Sequence, residues 1–186
     1  MSAVDRDMVI RTYAESDRDA VLALFRMVNG ELAPPGMEAA FADYVEQAIA
    51  SEMGRIPECF LAEAGSGFWV AMDSPTLIGM VGIERHSAEE AELRRMYVNP
   101  TFRRRGIGNR LLDHIEEFCR DAGYTRLILS TSEVQGAALA TYKARGYEMV
   151  REETAEAQST KTIGGGVRRF HFAKNLAVNA STAENG

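Results

Sequence analysis

Apolar and polar positions along this chain of 186 residues follow two periods, and the switches between them lay out its elements. Met8 to Tyr13 (MVIRTY) alternates with a period of two, which predicts a short first strand. From Asp17 to Asn29, the residues Val21, Leu22, Leu24, Phe25 and Val28 share one side of a helical repeat, with Ser16 as a candidate cap. Pro34-Pro35-Gly36 breaks that helix, and Met37, Phe41, Tyr44, Val45, Ala48 and Ile49 mark the face of a second. Phe60 to Asp73 holds two apolar pieces separated by Gly65-Ser66-Gly67. In the second piece Phe68, Val70 and Met72 alternate with Trp69 and Ala71, the pattern of a half-buried strand. Asp73-Ser74-Pro75 turns the chain, and Leu77 to Glu84 returns as a hairpin partner. After the polar stretch Arg85 to Glu90, Ala91 to Val98 completes an antiparallel meander.

Beyond Gly106 the period changes, and Ile107, Leu111, Leu112, Ile115, Phe118 and Cys119 fall on one helical face that Gly123 ends. Arg126 to Ser130 (RLILS) reads as a buried parallel strand. Gln135 to Arg145 reads as a helix capped by Gly146, and Tyr147 to Glu153 and Val167 to Lys174 as a last pair of strands. The long loop between them, Thr154 to Gly166, carries Gly164-Gly165-Gly166. The tail beyond Leu176 is small and polar, so residues 177–186 are expected to be disordered. There is no internal repeat and no linker, and residues 1–176 are expected to form a single domain.

The chemistry concentrates at one junction, ELRRMYVNPTFRRRGIGNRLL, from Glu92 to Leu112. A strand there runs through an Asn-Pro turn into Arg103-Arg104-Arg105-Gly106-Ile107-Gly108 and then a helix. The amides of a helix's first turn have no internal partner and carry partial positive charge, which suits an anion. Glycines let a phosphate approach that backbone. The pattern is not the dinucleotide fingerprint, because Leu111 stands where its third glycine would, and no Gly-Lys-Ser/Thr makes it a P-loop. A second signature follows downstream, Gln135-x-x-Ala138-x-x-x-Tyr142-x-x-x-Gly146-Tyr147.

Together these residues resemble the GNAT superfamily of N-acetyltransferases, from about Val9 to Leu176 and most closely from Ala91 to Tyr147. The resemblance implies an α/β (α+β) fold, a mixed central sheet of about six to seven strands flanked by about four helices, with splayed central strands forming an acyl-CoA cleft. It implies transfer of an acetyl group from acetyl-CoA, as acyl-donor cosubstrate, to the primary amine of a small molecule, amino acid or peptide. The implied diphosphate site is Arg103, Arg104, Arg105, Gly106, Ile107 and Gly108, and the backbone of Met96, Tyr97 and Val98 would pair with the pantetheine arm like an added strand. Gln135 stands where many members carry Asn, and Lys143 or Arg145 is a candidate for the 3′-phosphate, or a solvent-facing helix charge. The first helix pair would wall the acceptor pocket, which makes Asn29 to Gly36 either a substrate-facing loop or an ordinary connection. Homodimers occur among members, so one is possible here.

Tyr142 occupies the position of the general acid, although a core aromatic is the alternative. With reference values of ~10 for Tyr and ~8.5 for a thiol, full proton transfer to the thiolate is uphill by about 2 kcal/mol, so a strengthening hydrogen bond describes its role better. Glu92 is the candidate base, with a water relay or an amine already partly neutral as the alternatives. On strict alternation it shares a face with Arg94, Met96 and Val98, opposite Leu93, Arg95 and Tyr97. Charges on both faces of a central strand point to a cavity, a Glu92–Arg94 pair explains the same residues, and a bulge would reset the parity. The oxyanion donor would be a backbone N–H near Met96 to Val98. A non-catalytic acyl-CoA-binding module is the alternative function, against which Tyr142 speaks.

Composition narrows the classes without changing this picture. A net charge of −6 argues against nucleic-acid binding, and it either mildly favours a cationic substrate or serves solubility. No apolar run reaches the ~20 residues that span a bilayer, and MSAVDRDM lacks the apolar core of a secretion signal, so neither a membrane partner nor export is expected. Two cysteines, Cys59 and Cys119, suit free thiols in a cytoplasmic protein. His86, His114 and His171 lie far apart, and no metal site is expected.

Overall fold

A computed structural model describes residues 8–159 and 161–176. The expectations for the first residues and for the tail after Leu176 lie outside these. Seven strands form one sheet: β1 (Met8–Thr12), β2 (Gly67–Asp73), β3 (Thr76–Arg85), β4 (Glu90–Val98), β5 (Arg126–Ser132), β6 (Glu148–Ala155) and β7 (Val167–Asn175). Their order is β1-β2-β3-β4-β5-β7-β6. The β4–β5 pair is parallel and its neighbours are antiparallel, so the sheet is mixed. Four helices flank it, α1 (Arg18–Leu32), α2 (Glu38–Ser51), α3 (Ile107–Asp121) and α4 (Gly136–Ala144).

The helices divide between the two faces. Val21, Leu24, Phe25 and Val28 of α1 and Tyr44, Val45 and Ala48 of α2 pack on Phe68, Val70 and Met80. On the other face Ile107, Leu111, Leu112, Ile115 and Cys119 of α3 pack on Trp69, Ala71, Ile83, Leu93 and Leu127, joined by Tyr142 of α4. Strand β2 is therefore covered on both faces rather than half-buried, because its two alternating sets meet different helix layers.

Local differences from the sequence reading have physical causes. Helix α1 runs three residues past Asn29, through Gly30, and stops ahead of Pro34-Pro35. Ser16 does not cap it. A short 3-10 turn, Glu15–Asp17, precedes the helix, and Asp17 accepts the Ala14 N–H at 2.8 Å and a two-pronged bond from Arg11. The apolar piece at Phe60 belongs to a π-helical turn, Pro57–Leu61, that packs Phe60 under the sheet. Among the described residues no helix is long and apolar enough to cross a membrane.

Candidate active site between β4 and β5

Strands β4 and β5 pair over only four residues each, from Glu90 opposite Arg126 to Leu93 opposite Leu129. Beyond that point β5 continues against β7 and β4 against β3, so the two diverge. A bulge in β4 reinforces the break: Gly82 lies opposite Arg94 and Met80 opposite Tyr97, three residues against two. Arg95 takes up the extra residue with a φ of 55°. This overturns strict alternation. Leu93, Met96 and Val98 face the α3 layer, whereas Tyr97 packs on Phe25 and both Arg94 and Arg95 reach Glu52 at the end of α2. Met96 and Val98 thus do not share the Glu92 face. Past Leu93, the side of β4 turned towards β5 carries no strand partner, and its main-chain groups open into a cleft.

One half of the cleft, a cavity of about 500 Å³, is lined by Met96, Tyr97, Val98, Arg103, Arg104, Gly106, Ile107, Gly108, Gln135 and Tyr142, among others. Helix α3 begins there. Its first backbone bond runs from the Arg110 N–H to the Gly106 carbonyl at 3.1 Å, so the amides of residues 107–109 precede that ladder. Gly106 has a φ of 78°, which turns the chain into the helix at a place where a side chain is strained. Arg103 pairs with Glu31 of α1 at 2.6 Å, Arg105 lies 5.0 Å over the Phe102 ring, and Arg104 is exposed. Arg105 does not line the cavity, and neither does Lys143, exposed on the last turn of α4. Thr131 donates a 2.5 Å bond to the Gln135 carbonyl, fixing that side chain at the start of α4.

The other half, about 110 Å³, shares Met96, Tyr97, Gln135 and Tyr142 with the first and continues to Asn29, Tyr44, Arg94, Arg95, Ser130, Lys161 and Thr162. Tyr142 stands at the junction. It is 5% exposed, packs against Tyr147 and Phe172, and is thus both a core aromatic and a cleft residue. Its hydroxyl lies 3.9 Å from the Met96 sulfur, a weak contact. Burial, helped by the nearby Tyr97 phenol, pushes its pKa well above the ordinary phenol value. Burial likewise pushes Tyr97 up to about 12.

Ion pairs build the walls of this half. Glu52 accepts bonds from Arg94 at 2.9 and 3.1 Å and from Arg95 at 2.7 and 3.2 Å. Arg95 also donates to the Tyr44 hydroxyl at 2.7 Å, and Arg94 pairs with Glu84. Glu92 is not the partner of Arg94. Both its oxygens accept from the Lys161 ammonium, at 2.8 and 2.7 Å, and its side chain is 10% exposed against 38% for Lys161.

The sequence and the fold of this chain both match known proteins. The sequence profile of the acetyltransferase (GNAT) family fits residues 33–147, more than half of the chain. The chain belongs to this family. It is 33% identical over 113 residues to human N-acetyltransferase 8, covering 58% of this chain and 50% of that protein. It is also 33% identical over 110 residues to N-acetylaspartate synthetase of Danio rerio, covering 59% of this chain and 39% of that one. This GNAT chain thus spans about half or less of these relatives' lengths. Among solved structures, the PaiA N-acetyltransferase of Thermoplasma acidophilum, in complex with coenzyme A, superposes with a TM-score of 0.71 at 18% identity, over 94% of this chain and 99% of that one. A GNAT-family acetyltransferase from Staphylococcus aureus gives 0.69 at 19% identity, over 91% and 99%.

Several residues of this GNAT cleft escaped the sequence reading. Glu52, Tyr44 and Thr162 carry no motif. Glu52 looked like one more polar residue at a helix end, and Lys161 sits in a loop without periodicity. Asn29 and Leu32 line the cleft from the last turns of α1, so that wall is helical rather than the loop up to Gly36. The adjacent arginines inside a strand were the one available signal, since two buried cations need a carboxylate from elsewhere.

Proposed function

We propose that this chain is an acyl-CoA-dependent N-acetyltransferase, moving the acetyl group of acetyl-CoA to the primary amine of a small molecule, amino acid or peptide. The observation that carries this is the continuity of the cleft: the glycine turn opening α3, the unpaired side of β4 and the hydroxyl of Tyr142 all border it. The first-turn amides of α3 and the guanidinium of Arg103 or Arg104 would hold the diphosphate. The β4 main chain at Met96 to Val98 would pair with the pantetheine arm. Gln135, whose carbonyl is taken by Thr131, has its amide N–H groups to offer. The residues present therefore suit coenzyme A as a substrate.

The amine arrives as an ammonium and gives up a proton, for which Glu92 is the candidate acceptor. Its lone pair attacks the thioester carbonyl, the C–N bond forms and the C–S bond breaks. A backbone N–H of β4 would stabilise the oxyanion, and the thiolate leaves as a thiol by taking the second proton that the attacking nitrogen sheds as the amide forms. Tyr142 would donate a hydrogen bond to the departing sulfur. Burial holds its phenol neutral and makes outright proton transfer still less favourable, so the bond is the useful part. Replacing Tyr142→Phe is expected to lower kcat about 10²-fold, read as free CoA released with a competent amine, while acetyl-CoA affinity holds. An unchanged kcat would remove Tyr142 from the mechanism. Binding of acetyl-CoA with no transfer to any amine would favour a non-catalytic acyl-CoA-binding module.

A further inference from the structure

The smaller half of the cleft, where the acceptor would sit, has an unusual charge pattern. Among the described residues that line it, Arg94, Arg95 and Lys161 are cations and none is a carboxylate. The compensating Glu52 and Glu92 lie behind these cations, each buried. Glu92, the candidate base, does not line the cavity, and the Lys161 ammonium, which does, is bonded to both of its oxygens. Lys161 is held from behind: the Ser159 and Thr162 backbones bond to each other at 2.9 and 3.2 Å, and Gly165 and Gly166 donate to Glu156 and Ala155 at 3.1 and 3.0 Å. The loop's backbone is anchored while the lysine side chain remains 38% exposed.

A plain amine entering this site meets an awkward exchange. Its ammonium can reach Glu92 only by displacing Lys161, which leaves one more cation than the half-buried site can compensate. We propose that the acceptor is a zwitterion, an α-amino acid or similar amine with a carboxylate beside it, which inserts between Lys161 and Glu92. Its ammonium takes the Glu92 carboxylate and its carboxylate takes the Lys161 ammonium. One ion pair becomes two, and the charge balance of the cavity is kept. The two arginines stay on Glu52 and add an attractive field for the incoming carboxylate. This rests on the acetyltransferase reading of the same cleft. It reverses the inference from net charge, because the overall balance of −6 says nothing about the sign of one cavity.

The test is a panel of common L-α-amino acids, each assayed beside its own α-carboxamide with acetyl-CoA, on the wild type and on Lys161→Met. The carboxamide keeps the amine and removes the anion. It also makes that amine less basic, which by itself would favour it. The wild type is expected to prefer the best acid over its amide by at least about tenfold in kcat/KM, the worth of one charge-assisted pair. In Lys161→Met that preference collapses towards unity, with acetyl-CoA affinity by calorimetry unchanged. Equal rates for acid and amide in the wild type, or a preference that survives in Lys161→Met, would overturn the zwitterion while leaving the transferase intact. A protein that binds acetyl-CoA and acetylates no member of a wider amine panel would overturn the transferase reading, and the zwitterion with it.

Discussion

At the scale of single residues, burial raises the proton affinity of two phenols that line the cleft, Tyr97 and Tyr142, and of Tyr13 in the core behind it. Tyr97 is partly buried against Phe25 and beside the arginine network, and desolvation raises its pKa from 10.0 to about 12, with Arg95 pulling the other way. Tyr13 is raised to about 12 by burial and by its bond to Glu15. In the unfolded chain these phenols ionise near their ordinary value, and in the folded one they resist. Their contribution is therefore intact below pH 10 and is lost as pH climbs towards 12. The loss is at most about 1.4 kcal/mol for each tenfold change in proton affinity on folding, and less for Tyr97, which is partly exposed. Denaturation at stepped pH should show stability falling over that window, and Tyr97→Phe should flatten the decline. A decline of equal steepness in the variant would show that Tyr97 ionises freely in the fold.

Elements meet through a few of these residues. Glu52 ends α2 and binds both arginines of the β4 bulge, so it ties the helix pair to the strand that lines the cleft. Replacing Glu52→Gln leaves two buried guanidinium groups without their shared anion, and the expected loss is about 3 kcal/mol in chemical denaturation. A loss under about 0.5 kcal/mol, the range of a surface change, would show that Glu84 and Tyr44 suffice. The α3 turn makes a separate prediction. At Gly106 a Cβ would meet open space, but the φ of 78° disfavours any side chain. Gly106→Ala should cost about 1 kcal/mol of stability from backbone strain. An unchanged melting curve would mean that the turn relaxes.

For the whole molecule, the architecture was legible because α1, α2 and α3 each carry an apolar stripe and most strands an apolar run, and the two periods rarely conflict. Helix α3 and its glycine turn could be placed from spacing, whereas Tyr142 was singled out by the resemblance to the GNAT superfamily. The parity of β4 could not, since a bulge turns on one inserted residue and leaves the composition unchanged. Nor could Lys161 over Glu92, because a contact between residues 69 positions apart depends on how a patternless loop folds back. Glu92 and Arg94 share the strand and were readable as a pair, yet one nitrogen of Arg94 is held by both oxygens of Glu52, from another element.

The central claim is that the opening between β4 and β5 is where coenzyme A lies and where the acyl group is passed on. A crystal structure with coenzyme A bound tests it most directly. The diphosphate should rest on the amides opening α3, the pantetheine arm should run along Met96 to Val98, and the sulfur should lie within hydrogen-bond reach of the Tyr142 hydroxyl. Coenzyme found elsewhere on the protein, or a sulfur remote from Tyr142, would contradict the account.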